Sequence, residues 1–257
     1  MMDLLKPNER IDDLVCKNLK IIQNPKSYCF SIDAVLLSNF VTVKKGETVV
    51  DLGCGTGVIS LLLSAKTPAK KIYGIEILDT VADMAERSVK LNGLEHKIEI
   101  LSMDMKDAPQ KLGRGKYDVV VSNPPFREIG TGKINPDPVK ACAKHELFVN
   151  LEGVISAAGM LLKKGGRFFL IHRTRRLPDI FCYMKKHKIE PKKIKFVHST
   201  FDSPPNMVLI ESVKGGNPEM KVLPSLYIYK EKGVYSEQIM SVYGENAERQ
   251  GLLNSGQ

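Results

Sequence analysis

The chain has no CxxC pair, no internal repeat and no apolar run approaching the length of a membrane span. Its five cysteines (Cys16, Cys29, Cys54, Cys142 and Cys182) are odd in number and scattered. That pattern excludes a disulfide framework and a structural zinc site. It fits a reduced compartment, so a cytoplasmic location is expected. His96, His172, His187 and His198 share no metal-ligand spacing, so they are read as structural and no metal is expected. The opening residues, Met1-Met2-Asp3-Leu4-Leu5-Lys6-Pro7, lack an apolar h-region, so no signal peptide is expected. Spanning a bilayer takes roughly 20 apolar residues, and no membrane association is expected. No GK[ST] follows the glycine-rich turn described below, which excludes a P-loop.

What is present describes a globular protein with a basic surface. The chain has 257 residues, 43% hydrophobic and 26% charged, which is ordinary for a folded domain. The formal net charge is +9. A basic balance favours anionic partners, nucleic acid first and anionic membrane second, though a solvated basic surface has the same composition.

Residues 1–45 read as an N-terminal extension. They hold a strand at Leu19-Lys20-Ile21-Ile22-Gln23 and a helix from Ala34, with Ser31 as its cap. From residue 46 strands and helices alternate. Short apolar runs at 48–52, 71–76, 98–101, 117–122 and 167–172 read as buried strands. Helices are expected between them, one of them opened by a capping box at Thr80-Val81-Ala82-Asp83. Such alternation predicts an α/β fold with a doubly wound, mostly parallel sheet. Strands at 193–198 and 207–213 have no helix between them, so an antiparallel hairpin should close one edge of seven strands. Lys214-Gly215-Gly216-Asn217-Pro218 reads as a linker. The expected layout is an extension at 1–45, a core domain at 46–215 and a small appendage at 216–257, frayed beyond residue 251.

The turn Asp51-Leu52-Gly53-Cys54-Gly55-Thr56-Gly57 follows the first core strand. Ligands of open α/β sheets bind outside the carboxyl ends of the strands. Gly53, Gly55 and Gly57 let backbone approach a ligand without a Cβ clash. Asp51 is placed to bond the turn or a cofactor ammonium. Glu76 ends the next strand, where a carboxylate accepts ribose hydroxyls. Asp104 follows the third strand and can accept from an adenine amine, with Met103 packing the ring. A glycine turn alone is also met as a plain strand-to-helix connection. The dinucleotide fingerprint is GxGxxG, whereas the spacing here is GxGxG.

Asn123-Pro124-Pro125-Phe126 follows the fourth strand. A planar exocyclic amine is a poor nucleophile, because its lone pair is delocalised into the ring. Asn123 offers an amide oxygen to it, and Pro124 has no N–H, so that peptide presents only a carbonyl. Two acceptors aimed at one NH₂ favour its sp³ character as charge develops. Phe126 offers a face for stacking. The same four residues could simply form a turn closing the strand. Together the two motifs point to methyl transfer from S-adenosylmethionine to a nitrogen, with no metal or strong base required.

Arg127 and Lys133 follow this motif, and Arg173, Arg175 and Arg176 follow the fifth strand on the same edge; both groups are read as RNA phosphate contacts. Lys185, Lys186 and Lys188 end a helix and complement its dipole. His145, in Lys144-His145-Glu146, either caps a helix or touches the substrate.

From Asp51 to about Val213 the chain resembles class I S-adenosylmethionine-dependent methyltransferases of the small-domain type, and Asn-Pro-Pro-Phe matches their N-methylating subset. Ile11-Asp12-Asp13-Leu14, Ile21-Ile22-Gln23, Phe30-Ser31-Ile32-Asp33-Ala34-Val35-Leu36-Leu37, Lys144-His145-Glu146 and Ser203-Pro204-Pro205-Asn206 are similar to bacterial tRNA adenine-N6 methyltransferases. Those enzymes act on the adenine 3′ of the anticodon in a valine tRNA. The resemblance implies a Rossmann-like fold, S-adenosylmethionine as cofactor and tRNA as substrate, handled by a monomer or weak dimer. It also implies that the extension completes the site, with Tyr28, Phe30 and Asp33 among the cofactor-binding residues. Phe126 stands where many adenine enzymes carry Tyr, which keeps rRNA guanine-N2 methylation as an alternative. Glutamine N5-methyltransferases share the tetrapeptide but carry a larger N-terminal domain. A non-catalytic RNA-binding module is the alternative from another class.

Overall fold

The computed structural model describes residues 4–26, 29–126 and 150–243. Tyr28, Arg127, Lys133, His145 and the expected fraying beyond 251 lie outside these residues. The chain opens with a hairpin of β1 (Arg10–Asp13) and β2 (Lys20–Gln23), followed by α1 (Ile32–Phe40). Then come β3 (Thr48–Leu52), α2 (Val58–Lys66), β4 (Lys71–Glu76), α3 (Asp79–Leu91), β5 (Ile98–Ser102), α4 (Ala108–Leu112) and β6 (Tyr117–Ser122). After the undescribed stretch follow α5 (Leu151–Leu161), β7 (Leu162–Arg173), α6 (Leu177–Lys186), β8 (Ile189–His198), β9 (Pro205–Lys214) and β10 (Lys221–Tyr227). A small hairpin, β11 (Tyr229–Glu231) with β12 (Val234–Tyr235), and α7 (Glu237–Tyr243) close the described chain.

The main sheet runs in the order β10-β8-β9-β7-β6-β3-β4-β5. Strands β5, β4, β3, β6 and β7 are parallel, and β9 is antiparallel to both β7 and β8. The expected class is observed with one strand more than the seven expected. Lys221–Tyr227 pairs in parallel with β8, so β10 lies outside the hairpin and forms the edge.

The sheet is buried on both faces, as its unbroken apolar strands require. Val49, Val119, Val121, Phe169, Ile171 and Leu209 pack one face against α1, α2 and α3. Val50, Leu52, Val120, Phe168, Leu170 and Ile210 pack the other against α4, α5 and α6. The alternation within Val49-Val50 and Phe168-Phe169 is the period-2 pattern of a strand. Phe168 and Phe169 are fully buried, and truncating either to Ala costs about 3–5 kcal/mol.

The N-terminal hairpin is pinned to α3. Ile22 N donates to Ser88 Oγ at 2.9 Å, and Lys20 N to Asn92 Oδ1 at 2.9 Å. Arg87 on α3 forks onto Glu9 (2.6 and 2.8 Å) and also bonds Asp83. Two helix starts differ from expectation. Ser31 is the N-cap of α1, but its hydroxyl donates to Asp33 rather than accepting a helix N–H. α3 starts at Asp79 with Leu78 as N-cap and no side-chain cap, so Thr80 and Asp83 form no capping box. Asp83 instead serves Arg87 and Lys6.

Candidate active site

Strand order reverses between β3 and β6, and that is where the two motifs meet. From β3 the chain proceeds outward to β4 and β5; from β6 it proceeds the other way to β7. Leu52 and Ser122 are register partners at the carboxyl ends of these adjacent strands. Ser122 Oγ donates to Leu52 O at 2.8 Å. Gly53 and Asn123 therefore leave the sheet side by side.

The turn after β3 needs its glycines. Gly53, Gly55 and Gly57 have φ of +72°, +57° and +86°, the left-handed region that costs an L-residue energy. A Cβ on Gly57 would also lie 3.3 Å from Ala85 Cβ. Gly53 N and Cys54 N both donate to Ile75 O at 2.9 Å, which moors the turn to β4. Glu76, only 8% exposed, supports the rest. Its Oε2 accepts from Gly55 N, and its Oε1 from Ile77 N and Leu78 N, all at 3.0 Å. Burial raises the Glu76 pKa against the opposing pull of these three donors. A carboxylate offers about four acceptor sites, so Oε2 retains capacity for a ligand hydroxyl. Asp51 is buried beneath the turn. Ser60 Oγ donates to its Oδ2 at 2.8 Å, while Oδ1 has no partner. Burial pushes the Asp51 carboxyl up to about 7, and the Glu76 charge adds to that rise. Thr56 Oγ1 is likewise buried without a partner. These orphaned oxygens and the left-handed turn fit a ligand carrying ammonium and hydroxyl donors, as S-adenosylmethionine does.

At the end of β6, Asn123 Oδ1 is buried and has no partner. Phe126 stands edge-on to His172, with ring centroids 5.2 Å apart. The Arg173 guanidinium lies over the Phe126 ring, 4.9 Å from its centroid. His172 is buried, and burial together with the Arg176 cation lowers its pKa to about 4, so the ring is neutral. Its Nδ1 accepts from Arg173 N at 2.9 Å, which leaves the proton on Nε2.

A cavity of about 930 Å³ joins the two motifs. Phe30, Asp33, Gly53, Asn123, Pro124, Pro125, Phe126, Arg173 and Arg175 are among its lining residues. Asp51, Gly55, Gly57 and Glu76 stand behind the lining, in or against the turn. Met103 and Asp104 do not line it. Met103 N donates to Glu76 O, and Asp104 Oδ1 accepts from Lys106 N. Met105, not singled out by sequence, approaches the turn instead: its Cε would lie 3.6 Å from a Cβ on Gly53.

The three arginines after β7 divide. Arg173 and Arg175 line the cavity. Arg176 is 8% exposed and donates from Nε to Asp179 at 2.8 Å, so it is a structural cation at the start of α6 rather than a surface phosphate contact. Lys185 and Lys186 pair with Glu190 and Glu152.

Several lining residues are not site candidates in the sequence, although Asn206 belongs to a segment that carries the family resemblance. Ser199, Asn206, Ile228 and Tyr229 reach the cavity from the far side of the sheet. Gln23 positions Phe30 by accepting its N–H at 2.8 Å while donating to Asp12. Only the fold brings these segments together.

A doubly wound sheet with a glycine turn and an Asn-Pro-Pro-Phe segment at its switch point is the architecture of a class I methyltransferase. The chain belongs to the methyltransferase small domain family, whose model matches residues 31–180. A tRNA1(Val) (adenine(37)-N6)-methyltransferase from Porphyromonas gingivalis is 31% identical over 164 residues, covering 63% of this chain and 64% of that protein. The match thus spans just under two thirds of that relative. A protein of the same name from Pedobacter heparinus is 26% identical over 222 residues, covering 86% of this chain and 92% of its own. Among solved structures, a predicted O-methyltransferase from Agrobacterium tumefaciens superposes with a TM-score of 0.65 at 20% identity, covering 82% of this chain and 95% of that one. That likeness concerns the fold. Among the described residues, no helix is long and apolar enough to cross a membrane.

Proposed function

We propose that this chain transfers a methyl group from S-adenosylmethionine to the exocyclic N6 amine of an adenine in tRNA, the adenine 3′ of the anticodon in a valine tRNA. The observation that carries the reading is the buried, unpartnered Asn123 Oδ1 at the strand end beside the glycine turn. A buried acceptor without a donor costs about 1–3 kcal/mol. An amine in the cavity supplies the missing donor.

S-adenosylmethionine, when bound, supplies an electrophilic methyl group. The residues of the chain hold the amine in line and stabilise the charge that develops on it. Asn123 Oδ1 accepts one N–H, and the backbone carbonyl at Pro124 is the second acceptor. With the cofactor bound, methyl transfer would leave the nitrogen cationic and the cofactor's sulfur neutral; the two acceptors would stabilise that charge until the proton left to water. Phe126 and Arg173 are planar groups of the kind on which unpaired bases stack. Asp51 and Glu76, each with acceptor capacity left over, are the residues that would hold the ammonium and a ribose hydroxyl. Asp33 and Phe30 close the cavity from the N-terminal side. The names of the curated relatives support tRNA adenine as substrate, and the net charge of +9 supports a polyanionic partner.

The test is to incubate the purified chain with S-adenosylmethionine and an unmodified valine tRNA transcript, then analyse the nucleosides by mass spectrometry. N6-methyladenosine is the expected product. N2-methylguanosine would favour the guanine alternative. Cofactor binding without transfer to any RNA would sink the proposal.

A further inference from the structure

Next in the chain to the cavity-lining Ser199 and Tyr229 lies an aromatic row whose outer ring is exposed. β8 and β10 run parallel to each other, with Tyr227 opposite His198 in register. β8 also runs parallel to β7, because β9 is antiparallel to both. Their carboxyl ends therefore lie on the same sheet edge as Gly53 and Asn123. At that edge the His198 ring lies 5.0 Å from Tyr227, tilted by 37°, and Phe201 lies 5.4 Å from Tyr227 on a ring tilted by 40°. Phe201 is 76% exposed. An aromatic ring left in water on a second aromatic ring is a surface on which a further planar ring gains by stacking.

The loop that presents Phe201 is held in shape. His198 Nδ1 donates to Ser203 O at 2.7 Å. Ser203 Oγ donates to Thr200 O at 2.8 Å and accepts from Thr200 N at 2.9 Å. Ile228 N and Tyr229 N donate to His198 O and Ser199 O, which ties the end of β10 to the base of the loop. A platform ordered before binding loses little entropy on binding. It also adjoins the cavity along the chain, because Ser199 and Tyr229, which line the cavity with Asn206, lie one and two residues beyond His198 and Tyr227. In that lining Asn206 Nδ2 is engaged with Ser199 Oγ at 3.1 Å, while its Oδ1 is buried with no partner. A second unfilled acceptor thus sits in the same cavity as Asn123 Oδ1.

We propose that Phe201 and Tyr227 stack an unpaired nucleobase adjacent to the target adenine, and that Asn206 Oδ1 accepts an N–H from the RNA beside it. This subsite rests on the RNA reading above. It would select a target flanked by an unstacked base, as in a loop, over one inside a helix, and its occupant is a base rather than a phosphate.

The test places 2-aminopurine immediately 5′ or immediately 3′ of the target adenine in a valine tRNA transcript and follows its fluorescence on adding the full chain. Stacking on an aromatic ring should quench the probe at one of the two positions. Phe201→Ala should abolish that quench and weaken tRNA binding from about fivefold to over a hundredfold. Phe201→Trp should restore both, and cofactor affinity should not change in either variant. Asn206→Asp should lower kcat/KM for tRNA, again without effect on cofactor affinity. Wild-type transfer to tRNA with no quench at either position, or with Phe201→Ala indistinguishable from wild type, overturns the subsite and leaves the proposed function standing. A wild-type chain that neither binds nor methylates the transcript overturns both.

Discussion

Asn123→Ala separates a functional asparagine from a structural one, because the two predict opposite balances of stability and rate. In the folded chain Asn123 Oδ1 is buried and accepts nothing. Removing a buried unsatisfied acceptor returns about 1–3 kcal/mol. Truncating a half-buried side chain gives up packing of comparable size. The net change in stability should lie within about 1 kcal/mol of zero, which for a chain of this length is a shift in Tm of about 2–4 °C. Transfer should respond very differently. An acceptor aimed at the developing charge is worth about 10²–10³ in rate, or about 2.7–4 kcal/mol at 1.36 kcal/mol per tenfold. Scanning calorimetry gives the first quantity, and single-turnover methylation of a tRNA transcript at saturating cofactor gives the second. Cofactor affinity by titration calorimetry should be nearly unchanged. A variant that melts about 10 °C lower while transferring at near wild-type rate would show that Asn123 only closes a turn.

Glu76→Ala removes the acceptor of three backbone N–H groups at 3.0 Å, so it should weaken S-adenosylmethionine binding tenfold or more and lower the denaturation midpoint as well; wild-type affinity would refute the placement of the cofactor. Binding should also depend on pH through Asp51, whose folded pKa of about 7 lies above its ordinary 3.8. The folded chain holds a proton that the unfolded chain has released, so this group's contribution to stability is complete at pH below 3.8 and is lost as pH rises through about 7. A cofactor ammonium prefers the ionised carboxylate, so affinity should climb between pH 6 and 8 and then level, and Asp51→Asn should flatten the profile; an unchanged profile in that variant would assign the dependence elsewhere. Replacing Arg173 and Arg175 by Ala should reduce the salt slope of RNA binding by roughly 0.7 for each phosphate no longer neutralised. Arg176→Ala should leave that slope alone and cost about 1–2 kcal/mol in urea denaturation, because it strips Asp179 of its partner; the reverse pattern would restore Arg176 as a phosphate contact.

The parts of this fold legible in sequence are those whose local chemistry and final environment agree. β3, β4 and β6 are short apolar runs because both faces of a central parallel strand are covered, and the left-handed turn after β3 announces itself by its glycines. Where environment overrides local chemistry the sequence is silent. Lys221-Val222-Leu223-Pro224-Ser225-Leu226-Tyr227 is largely exposed and contains a proline. Its strand is imposed by pairing with β8, at an edge where proline is tolerated. Arg173, Arg175 and Arg176 read alike in sequence, yet the short 3₁₀ turn at Thr174–Arg176 turns Arg176 inward to Asp179 and leaves Arg175 exposed. Tyr229 had no motif to mark it, and Asn206 stood only in a loop that shared the family resemblance; the proximity of both to Asn123 exists only after the sheet has formed.

Among the described residues, unfilled hydrogen-bonding capacity is not scattered. Among the described residues, the buried side-chain atoms without partners are Asp51 Oδ1, Thr56 Oγ1, Asn123 Oδ1, His172 Nε2, His187 Nε2 and Asn206 Oδ1. His187 lies at the end of α6 with the Glu152 carboxylate 3.6 Å away. The other five lie along one line, where β3, β6 and β7 end and β9 begins. Each such atom costs about 1–3 kcal/mol, so together they weigh substantially against a total stability of about 5–15 kcal/mol. Packing can place one atom badly, but a uniform packing defect would spread along the sheet rather than collect at its carboxyl edge. The concentration follows if a ligand completes these bonds. Cofactor and substrate together should then raise Tm by more than either alone, in proportion to the number of orphaned atoms each engages. Asp51→Asn should reduce the cofactor's share of that rise and Asn123→Ala the RNA's share. A rise in Tm that survives both substitutions would mean that these atoms are defects of packing and not the site's unfilled bonds.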